Sequence, residues 1–288
     1  MPVKTRPASS QHSGPRLPNL RVVNVDRLLL HETLDSHRLG PMIEALQRDE
    51  GLRNPPIVAC LPDTPNFVVL DGANRITALT RMGYPHAPVQ VVDYENGVEL
   101  GVWYHVVCRI DRRHFVDLLA NIQGLSATKA DLFSARAALA RREIMAYLVY
   151  PNGDVKLLQG GAHLDERTTL LNALVDTYRG EARIYRTDTD LLDYVLPFYD
   201  EITAIVVFPR YTPVEIMALA REGYFLPTGI TRHVIPGRAL HINLPLSILA
   251  DTTQSLEEKN RWLQQWIKER MASHGVRFYQ ESTFLFDE

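Results

Sequence analysis

The chain has 288 residues, 45% hydrophobic and 23% charged, which is the composition of an ordinary globular protein with one large domain or two smaller ones. Its formal net charge of −3 at pH 7 argues against a global positive field that would attract DNA or an anionic membrane. No apolar stretch approaches the roughly 20 residues that a membrane-spanning helix needs, so no membrane partner is expected.

The first 18 residues are rich in proline, serine and arginine and lack the apolar core of a secretory signal. This composition predicts a disordered tail over 1–18. The two cysteines, Cys60 and Cys108, each lie within an apolar run, which favours two buried free thiols in a cytoplasmic protein over a disulfide or a metal site.

Residues 19–110 are predicted to form a compact α/β domain. Periodicity predicts one helix over 36–51 and another that ends at Met82, with Asn74 or Asp71 as its N-cap. Apolar or alternating runs predict strands over 20–30, 54–62, 67–70, 87–94 and 101–108.

Residues 111–250 are predicted to form a second α/β layer packed on the first. Residues 111–142 have a helical pattern, and 143–159 form a hairpin. Thr212 and Glu215 form a predicted capping box that starts a helix. Further helices are predicted over 165–180 and 191–201, and further strands over 182–186 and 202–209.

The C-terminal extension, 251–288, is mostly helical in pattern. Its apolar stripe includes Leu256, Trp262 and Trp266. Such a stripe packs either on the second domain or against a second copy of the chain, so a homodimer is one possibility.

The stretch FVVLDGANRITAL, 67–79, ends a strand in a glycine turn and opens a helix. The first N–H groups of a helix lack internal partners and favour an anion, and Gly72 allows a ligand to approach the backbone closely. The charge of Arg75 opposes the helix dipole unless an anion faces it. An ordinary helix start with an Arg75–Asp71 ion pair explains the same residues.

The stretch GITRHVIPGR, 229–238, places Thr231, Arg232 and His233 where they can bind phosphate or carboxylate by charge-assisted hydrogen bonds. A solvated basic loop has the same composition. Arg238 belongs to the same segment.

The pair His31-Glu32 follows three leucines. A zinc protease helix is excluded because the position four residues after His31 holds Asp35 instead of a second histidine. A partly desolvated Glu32 suits a general base, and an exposed turn glutamate is the alternative.

Taken together, HETLD, VVLDGANRITAL, VWY and TRHVIPGRAL resemble the free serine kinases built on the ParB/sulfiredoxin-like fold, over roughly 20–250. The segment PGRALHINLPLSIL resembles the branch found with siderophore gene clusters. The resemblance implies phosphoryl transfer from ATP or ADP, with Mg²⁺, to free L-serine. The product, O-phospho-L-serine, would serve 2,3-diaminopropionate and siderophore synthesis or cysteine synthesis.

The resemblance also implies a fold, which is mixed α/β (α+β). A ParB/sulfiredoxin-like nucleotide-binding domain would occupy 19–110, a second α/β domain would close the cleft over 111–250, and the helical extension would follow over 251–288.

By the same resemblance Glu32 deprotonates the serine hydroxyl, and Asp71 holds Mg²⁺ directly or through water, or assists the base. The residues implied to bind nucleotide phosphates are Gly72, Ala73, Asn74, Arg75, Thr231, Arg232 and His233. The residues implied to bind serine are His31, Thr33 and Trp103, although a core tryptophan is an equal reading of Trp103.

Archaeal-type members carry Asp-Gly-His-His-Arg at this turn, where the chain has Ala73 and Asn74, so the choice between ATP and ADP stays open. The turn has no cysteine, which argues against sulfiredoxin. The alternative function is a ParB-like DNA-binding regulator. Its support is a basic cluster, and the net negative charge disfavours it. The cluster consists of Arg109, Arg112, Arg113 and His114.

Overall fold

The structure is a computed structural model that describes residues 17–34 and 36–279, without the side chains of Ser36 and His37. The tail predicted over 1–18 lies outside these residues except for its last two positions. The end of the predicted C-terminal extension, 280–288, lies outside them as well.

The first part of the chain folds around a five-stranded mixed sheet. Its elements are β1 (Asn19–Asn24), β2 (Leu28–Leu29), α1 (Ser36–Asp49), β3 (Gly51–Leu52), β4 (Ile57–Cys60), β5 (Phe67–Asp71), α2 (Ala73–Arg81), β6 (His86–Val92) and β7 (Glu99–Val102). The strand order is β1-β6-β4-β5-β2, with β4–β6 and β2–β5 parallel and the other pairs antiparallel. Parallel pairing needs crossovers, which α1 and α2 supply.

The second part folds around a six-stranded antiparallel sheet in the order β12-β8-β13-β10-β11-β9. Its strands and the remaining elements are β8 (Tyr104–Cys108), α3 (Arg112–Ala120), β9 (Ser126–Ala130), α4 (Leu132–Ala140), β10 (Ala146–Val149), β11 (Val155–Gln159), α5 (Leu164–Arg179), β12 (Arg183–Thr187), α6 (Leu192–Val195), β13 (Ile202–Val207), α7 (Pro213–Glu222), β14 (Thr231–Val234), β15 (Leu244–Pro245), α8 (Leu246–Ala250) and α9 (Leu256–Ala272).

The single strand predicted over 101–108 is two strands that belong to different sheets. The strand is interrupted at Trp103. Strand β7 pairs with β14, whereas β8 lies inside the second sheet, between β12 and β13. The chain therefore passes from one sheet to the other at Trp103, and the domain boundary at residue 110 stays a prediction.

Two predicted helices are shorter than expected. The helical pattern of 111–142 contains strand β9, which begins after Gly124 at φ +84° and ends before the Asp131 cap of α4. Over 191–201 only α6 forms; Leu196 still has helical backbone, but Pro197 has no N–H with which to continue the helical hydrogen bonds.

The helix predicted from Thr212 is confirmed. Thr212 Oγ1 accepts the N–H of Glu215, the Glu215 carboxylate accepts the N–H of Thr212, and Pro213 occupies the first turn of α7. The predicted hairpin is also confirmed, with β10 and β11 antiparallel.

The two sheets share a buried core, which confirms that the second layer packs on the first. Val68 and Leu70 of β5 belong to the same buried cluster as Leu148 of β10 and Val206 of β13. A second cluster lies on the other side of the first sheet, and a third covers the outer face of the second sheet beneath α4 and α6.

The C-terminal extension packs on the first sheet, where the sequence suggested the second domain or a second copy. Leu263, Trp262 and Trp266 of α9 belong to the core beneath that sheet. The Asn260 amide accepts from Val22 N at 3.0 Å and donates to Val22 O at 2.8 Å, so α9 satisfies backbone groups of edge strand β1.

Cys108 is a buried free thiol as expected, whereas Cys60 is free and exposed at the end of β4. Over the described residues, no helix combines the length and apolar character that a bilayer crossing requires.

Candidate active site

The segment His31–Thr33 follows β2 and pairs with the segment that leads into β14. The N–H of Leu226 donates to His31 O, and the N–H of Thr33 donates to Leu226 O, both at 2.8 Å. The hydroxyls of Thr33 and Thr228 lie 3.1 Å apart and strengthen this junction. The pairing brings together two predicted stretches that are about 200 residues apart in sequence.

The Glu32 carboxylate is held by donors from the β14 segment. Its Oε2 accepts the N–H of Gly229 at 2.7 Å, and its Oε1 accepts both the N–H and the hydroxyl of Thr231 at 2.9 and 2.5 Å. Two backbone donors fix the plane of the carboxylate, while its remaining lone pairs can accept a further hydrogen bond. The predicted base is therefore fixed in position.

The backbone at Gly229 favours glycine. Its φ is +77°, and a Cβ there would lie 1.8 Å from the Arg186 Nη2 atom. Glycine adopts this left-handed backbone without strain, whereas any other residue would also have to displace the end of the Arg186 side chain.

The buried His31 and the half-buried His233 lie next to each other near Glu32. His31 Nδ1 lies 2.8 Å from Val69 O and its Nε2 lies 3.1 Å from Thr231 Oγ1, while His233 Nε2 lies 2.8 Å from the Tyr94 hydroxyl. The two imidazole rings meet edge to face, with centroids 5.3 Å apart.

Both imidazoles are neutral near pH 7. Burial lowers the pKa of His31 although the Glu32 carboxylate opposes the shift, and burial followed by the neighbouring His31 lowers the pKa of His233 to about 3. Burial, with a further contribution from Glu32, raises the pKa of Tyr94. His233 would thus meet a phosphate as a hydrogen-bonding group and not as a cation. Sequence reasoning missed Tyr94, which stands outside every motif.

Arg232 lies on the opposite face of β14 from Thr231 and His233, as strand alternation requires. Its guanidinium stacks 4.3 Å above the Trp103 ring, and its Nη1 donates to Asp188 at 2.7 Å. The structure thus groups Arg232 with Trp103, at the point where β7 gives way to β8, and separates it from His233.

The glycine turn starts helix α2 without a side-chain cap. Gly72 is the N-cap, with φ +96°, so the predicted caps Asp71 and Asn74 are both wrong. Asp71 does not cap because its carboxylate turns to arginine side chains. The first helical hydrogen bond is from Ile76 to Gly72, which leaves the N–H groups of 73–75 outside the helical ladder and free to bind an anion.

Asp71 joins two arginines through one oxygen. Its Oδ2 accepts from Arg75 Nη2 at 3.1 Å and from Arg238 Nη1 at 2.8 Å. Burial acts to raise the pKa of Asp71, but the two guanidinium groups outweigh it, and the pKa lies below its usual value. Arg238 was not among the predicted site residues, although the TRHVIPGR stretch contains it.

The guanidinium of Arg75 donates hydrogen bonds to other groups of the protein. Its Nη1 donates to the carbonyl oxygens of Asn54 at 2.7 Å and Pro55 at 3.1 Å, in addition to the Asp71 contact. The half-buried guanidinium therefore ties the turn to the loop before β4.

Asn74 has a buried side-chain oxygen without a hydrogen-bond partner. An unpaired buried polar atom is costly, and the amide can turn to present either its oxygen or its NH₂ group. A ligand on the turn can satisfy either orientation.

Asp71 fits Mg²⁺ as a single carboxylate ligand, because both arginines contact Oδ2 and leave Oδ1 available. Mg²⁺ commonly takes one or two carboxylates together with substrate phosphates and water. Within the described residues no group of three or more His, Cys, Asp or Glu side chains could hold a metal, so phosphate oxygens would have to complete the site.

The basic cluster behind the DNA-binding alternative is mostly paired with carboxylates. Arg109 lies 3.7 Å from Glu201, and the other two contacts join Arg112 to Asp154 at 2.8 Å and His114 to Glu181 at 2.5 Å. These pairs weaken the local positive field on which DNA binding depends.

Comparisons with known proteins give one consistent group. No protein-family model matches the chain. It is 31% identical over 234 residues to an ATP-dependent L-serine kinase of Staphylothermus marinus, covering 79% of this chain and 90% of that protein. It is 23% identical over 271 residues to the ATP-dependent L-serine kinase SbnI of Staphylococcus aureus, covering 94% and 98%.

Solved structures confirm the predicted fold. C-terminally truncated SbnI from Staphylococcus aureus matches with a TM-score of 0.71 and 22% identity, over 88% of this chain and 97% of that one. A free serine kinase in complex with AMP matches with a TM-score of 0.71 and 23% identity, over 83% and 97%.

Proposed function

The chain belongs to the L-serine kinase family, and we propose that it transfers a phosphoryl group from ATP or ADP to the hydroxyl of free L-serine, giving O-phospho-L-serine. The most direct support is the position of the Glu32 carboxylate, which Gly229 and Thr231 hold in the same cluster as the glycine turn at the start of α2. The connection runs through His31, which bonds both Thr231 and the backbone of Val69, two residues before Asp71.

In this mechanism the serine hydroxyl is the nucleophile and Glu32 accepts its proton. A positioned general base contributes about 10²–10⁴ in rate. Because the backbone donors already fix both carboxylate oxygens, Glu32 needs no rearrangement before it accepts the proton.

The nucleotide phosphates would lie at the start of α2. The N–H groups of Ala73, Asn74 and Arg75 would bind phosphate oxygens there, with the Asn74 amide beside them. The Arg75 side chain would keep the turn in shape, and Arg238, held by Asp71, would supply positive charge. Mg²⁺ on Asp71 would neutralise phosphate charge.

The serine pocket would lie toward β14. Thr231 and the neutral His233 offer hydrogen bonds on the face that carries Glu32. Trp103, with Arg232 stacked on its ring, lies on the opposite face of β14 and would bound the pocket from that side. Thr33 supports the pocket by locking the junction to Thr228.

The first experiment is direct: purified protein is incubated with L-serine, Mg²⁺ and either ATP or ADP, and O-phosphoserine is sought by mass spectrometry. Product from one nucleotide identifies the donor. Absence of product from folded protein with both nucleotides would overturn the proposal.

A Glu32→Gln variant should lose about 10²–10⁴ in turnover while still binding nucleotide. The new amide NH₂ must face a backbone N–H of Gly229 or Thr231, so thermal unfolding should be measured alongside. Glu222→Gln, at an exposed position of α7, is the matched control and should retain full activity. Unchanged turnover in Glu32→Gln would remove this residue from the mechanism.

The expected setting is the cytoplasm, where nucleotides and free serine occur together and where free thiols such as Cys60 and Cys108 persist. The resemblance to the siderophore-cluster branch supports phosphoserine supply for 2,3-diaminopropionate as the role.

A further inference from the structure

His31 makes two hydrogen bonds whose directions can be assigned from proton counting. A carbonyl oxygen only accepts, so His31 Nδ1, at 2.8 Å from Val69 O, carries the ring hydrogen. The ring is 4% exposed and neutral, so Nε2 is a bare acceptor 3.1 Å from Thr231 Oγ1.

Thr231 has one hydroxyl hydrogen and two acceptors for it. Glu32 Oε1 lies 2.5 Å from the hydroxyl oxygen, and His31 Nε2 lies 3.1 Å from it. With Glu32 ionised, the hydrogen belongs to the shorter, charge-assisted bond to Glu32. Once Glu32 is protonated, that preference disappears and His31 becomes the better acceptor.

We propose that Thr231 and His31 are positioning residues for Glu32, with the Thr231 hydroxyl donating to Glu32 before proton transfer and turning to His31 Nε2 afterwards. The proton of the substrate stays on Glu32, and the Thr231 hydrogen stays on its own oxygen. The inference rests on the proposed function only in taking Glu32 as the base.

The reason for having His31 is that it keeps the half-buried Thr231 hydroxyl bonded in both states of Glu32. Without this acceptor, the Thr231 hydroxyl would have only the neutral carboxyl of protonated Glu32, which accepts a weaker hydrogen bond than the ionised carboxylate, and this loss would oppose uptake of the substrate proton. His31 therefore makes Glu32 a more effective base.

The other ionisable groups near Glu32 are not expected to titrate with it. His233 faces His31 from β14 and has a pKa of about 3, and the pKa of Tyr94 is raised. The Arg186 guanidinium lies behind Gly229 and stays charged, and Asp71 at the end of β5 has a lowered pKa. The acidic limb of the kcat profile should therefore report Glu32.

Two substitutions of His31 separate the proposed role from a structural one. His31→Asn keeps a donor near the Nδ1 position for Val69 and loses the acceptor for Thr231, whereas His31→Gln keeps a group near Nε2 and loses the Val69 bond. We expect His31→Asn to lower kcat about tenfold or more, with KM for serine little changed, and His31→Gln to lower it less. The reverse order would mean that His31 serves only to hold Val69.

The pH dependence of kcat in Thr231 and His31 variants tests the direction in which the pKa of the base moves. Thr231→Val removes a donor from ionised Glu32, so the acidic limb of kcat should move to higher pH. His31→Asn leaves the hydroxyl bound to Glu32, so the limb should move to lower pH. Thr231→Ser keeps the hydroxyl, so it should move the acidic limb of kcat less than Thr231→Val does. Shifts of the same sign in Thr231→Val and His31→Asn, or none, would overturn the proposal.

The ring tautomer can be measured without any turnover. ¹⁵N NMR of the histidine side chains should show His31 protonated at Nδ1 and unprotonated at Nε2 at neutral pH. The opposite tautomer would overturn the inference even in an active kinase. If the unaltered protein formed no phosphoserine, the proposed function would fail while the tautomer measurement still tested the geometry.

Discussion

Asp71 and Glu32 are two carboxylates in one cluster that are held in different ways. Glu32 is bound by backbone N–H groups of Gly229 and Thr231, whereas Asp71 is bound by two guanidinium groups. Backbone donors fix position without adding net charge, and guanidinium groups bring positive charge close to where phosphates are proposed to lie. These environments match the proposed roles of Glu32 as the general base and of Asp71 as the carboxylate beside the nucleotide phosphates.

The position of Gly229 should make it more sensitive than other glycines with the same backbone. Gly229→Ala would strain the left-handed backbone whose N–H binds Glu32 and would push the Arg186 guanidinium aside, so turnover should fall about tenfold. Gly153→Ala is the control, since its φ is +84° and nothing lies within 4 Å of the added methyl. Both variants should lose about 1 kcal/mol of stability from the left-handed backbone. Equal turnover in the two variants would contradict this account.

The lowered pKa of Asp71 predicts a pH dependence of stability. A carboxyl with a depressed folded pKa contributes stability above its unfolded pKa of about 3.9, and that stability is lost as the pH falls through the folded pKa. Asp71→Asn should therefore be less stable than the unaltered protein at pH 6, and the difference should shrink at lower pH. Urea unfolding at several pH values measures it. A difference that stays constant with pH would show that Asp71 contributes no linked ionisation.

At the scale of single elements, strand β14 divides the site into two faces. Its alternation sends Thr231 and His233 toward Glu32, and Arg232 toward Trp103. Strand β14 pairs with β7, which ends beside Trp103. This short ladder therefore fixes the positions of both the Trp103 ring and the Arg232 guanidinium above it. Neither strand lies in the two large sheets.

Removal of the Trp103 ring should affect the binding of serine more than the phosphoryl-transfer step. Trp103→Leu leaves Arg232 without its stacking partner, so KM for L-serine should rise about tenfold while kcat changes less. Tyr185→Leu is the control, since Arg183 lies 5.8 Å above that ring on β12. Steady-state kinetics with serine as the varied substrate decide the matter. A fall in kcat alone would place Trp103 in the chemical step.

The attachment of α9 to β1 should matter for stability and not for turnover. Asn260→Ala removes both bonds to the Val22 backbone and should cost about 1–3 kcal/mol of unfolding free energy. Gln265→Ala, on the exposed side of the same helix, should cost far less. Denaturant unfolding gives both values, and kcat at 25 °C should match the unaltered protein. A stable Asn260→Ala variant would mean that water replaces the amide.

At the scale of the whole molecule, the site depends on the packing of two sheets on one core. Val68 and Leu70 lie in the core cluster that the second sheet completes, and the same strand β5 ends in Asp71. Glu32 follows β2 of the first sheet, and the segment that binds it follows α7 after the chain has formed the second sheet. The geometry of the base is thus set by long-range packing and not by any local motif.

The sequence by itself determined the local features of this protein. The glycine turn at Gly72, the capped helix from Thr212 and the hairpin follow from short-range backbone preferences, which nearby residues are enough to specify. The combined motifs also led to the kinase family and to Glu32 and Asp71 as the central carboxylates.

Only the tertiary structure determined which groups those residues contact. It split 101–108 at Trp103, placed α9 on β1, and turned Asp71 from a helix cap to a partner of Arg238. The periodicity of a segment specifies which face is apolar, but it does not specify what covers that face. Contacts between residues some 200 positions apart, such as Glu32 with Gly229, depend on the packing of the whole chain and leave no pattern in either segment alone.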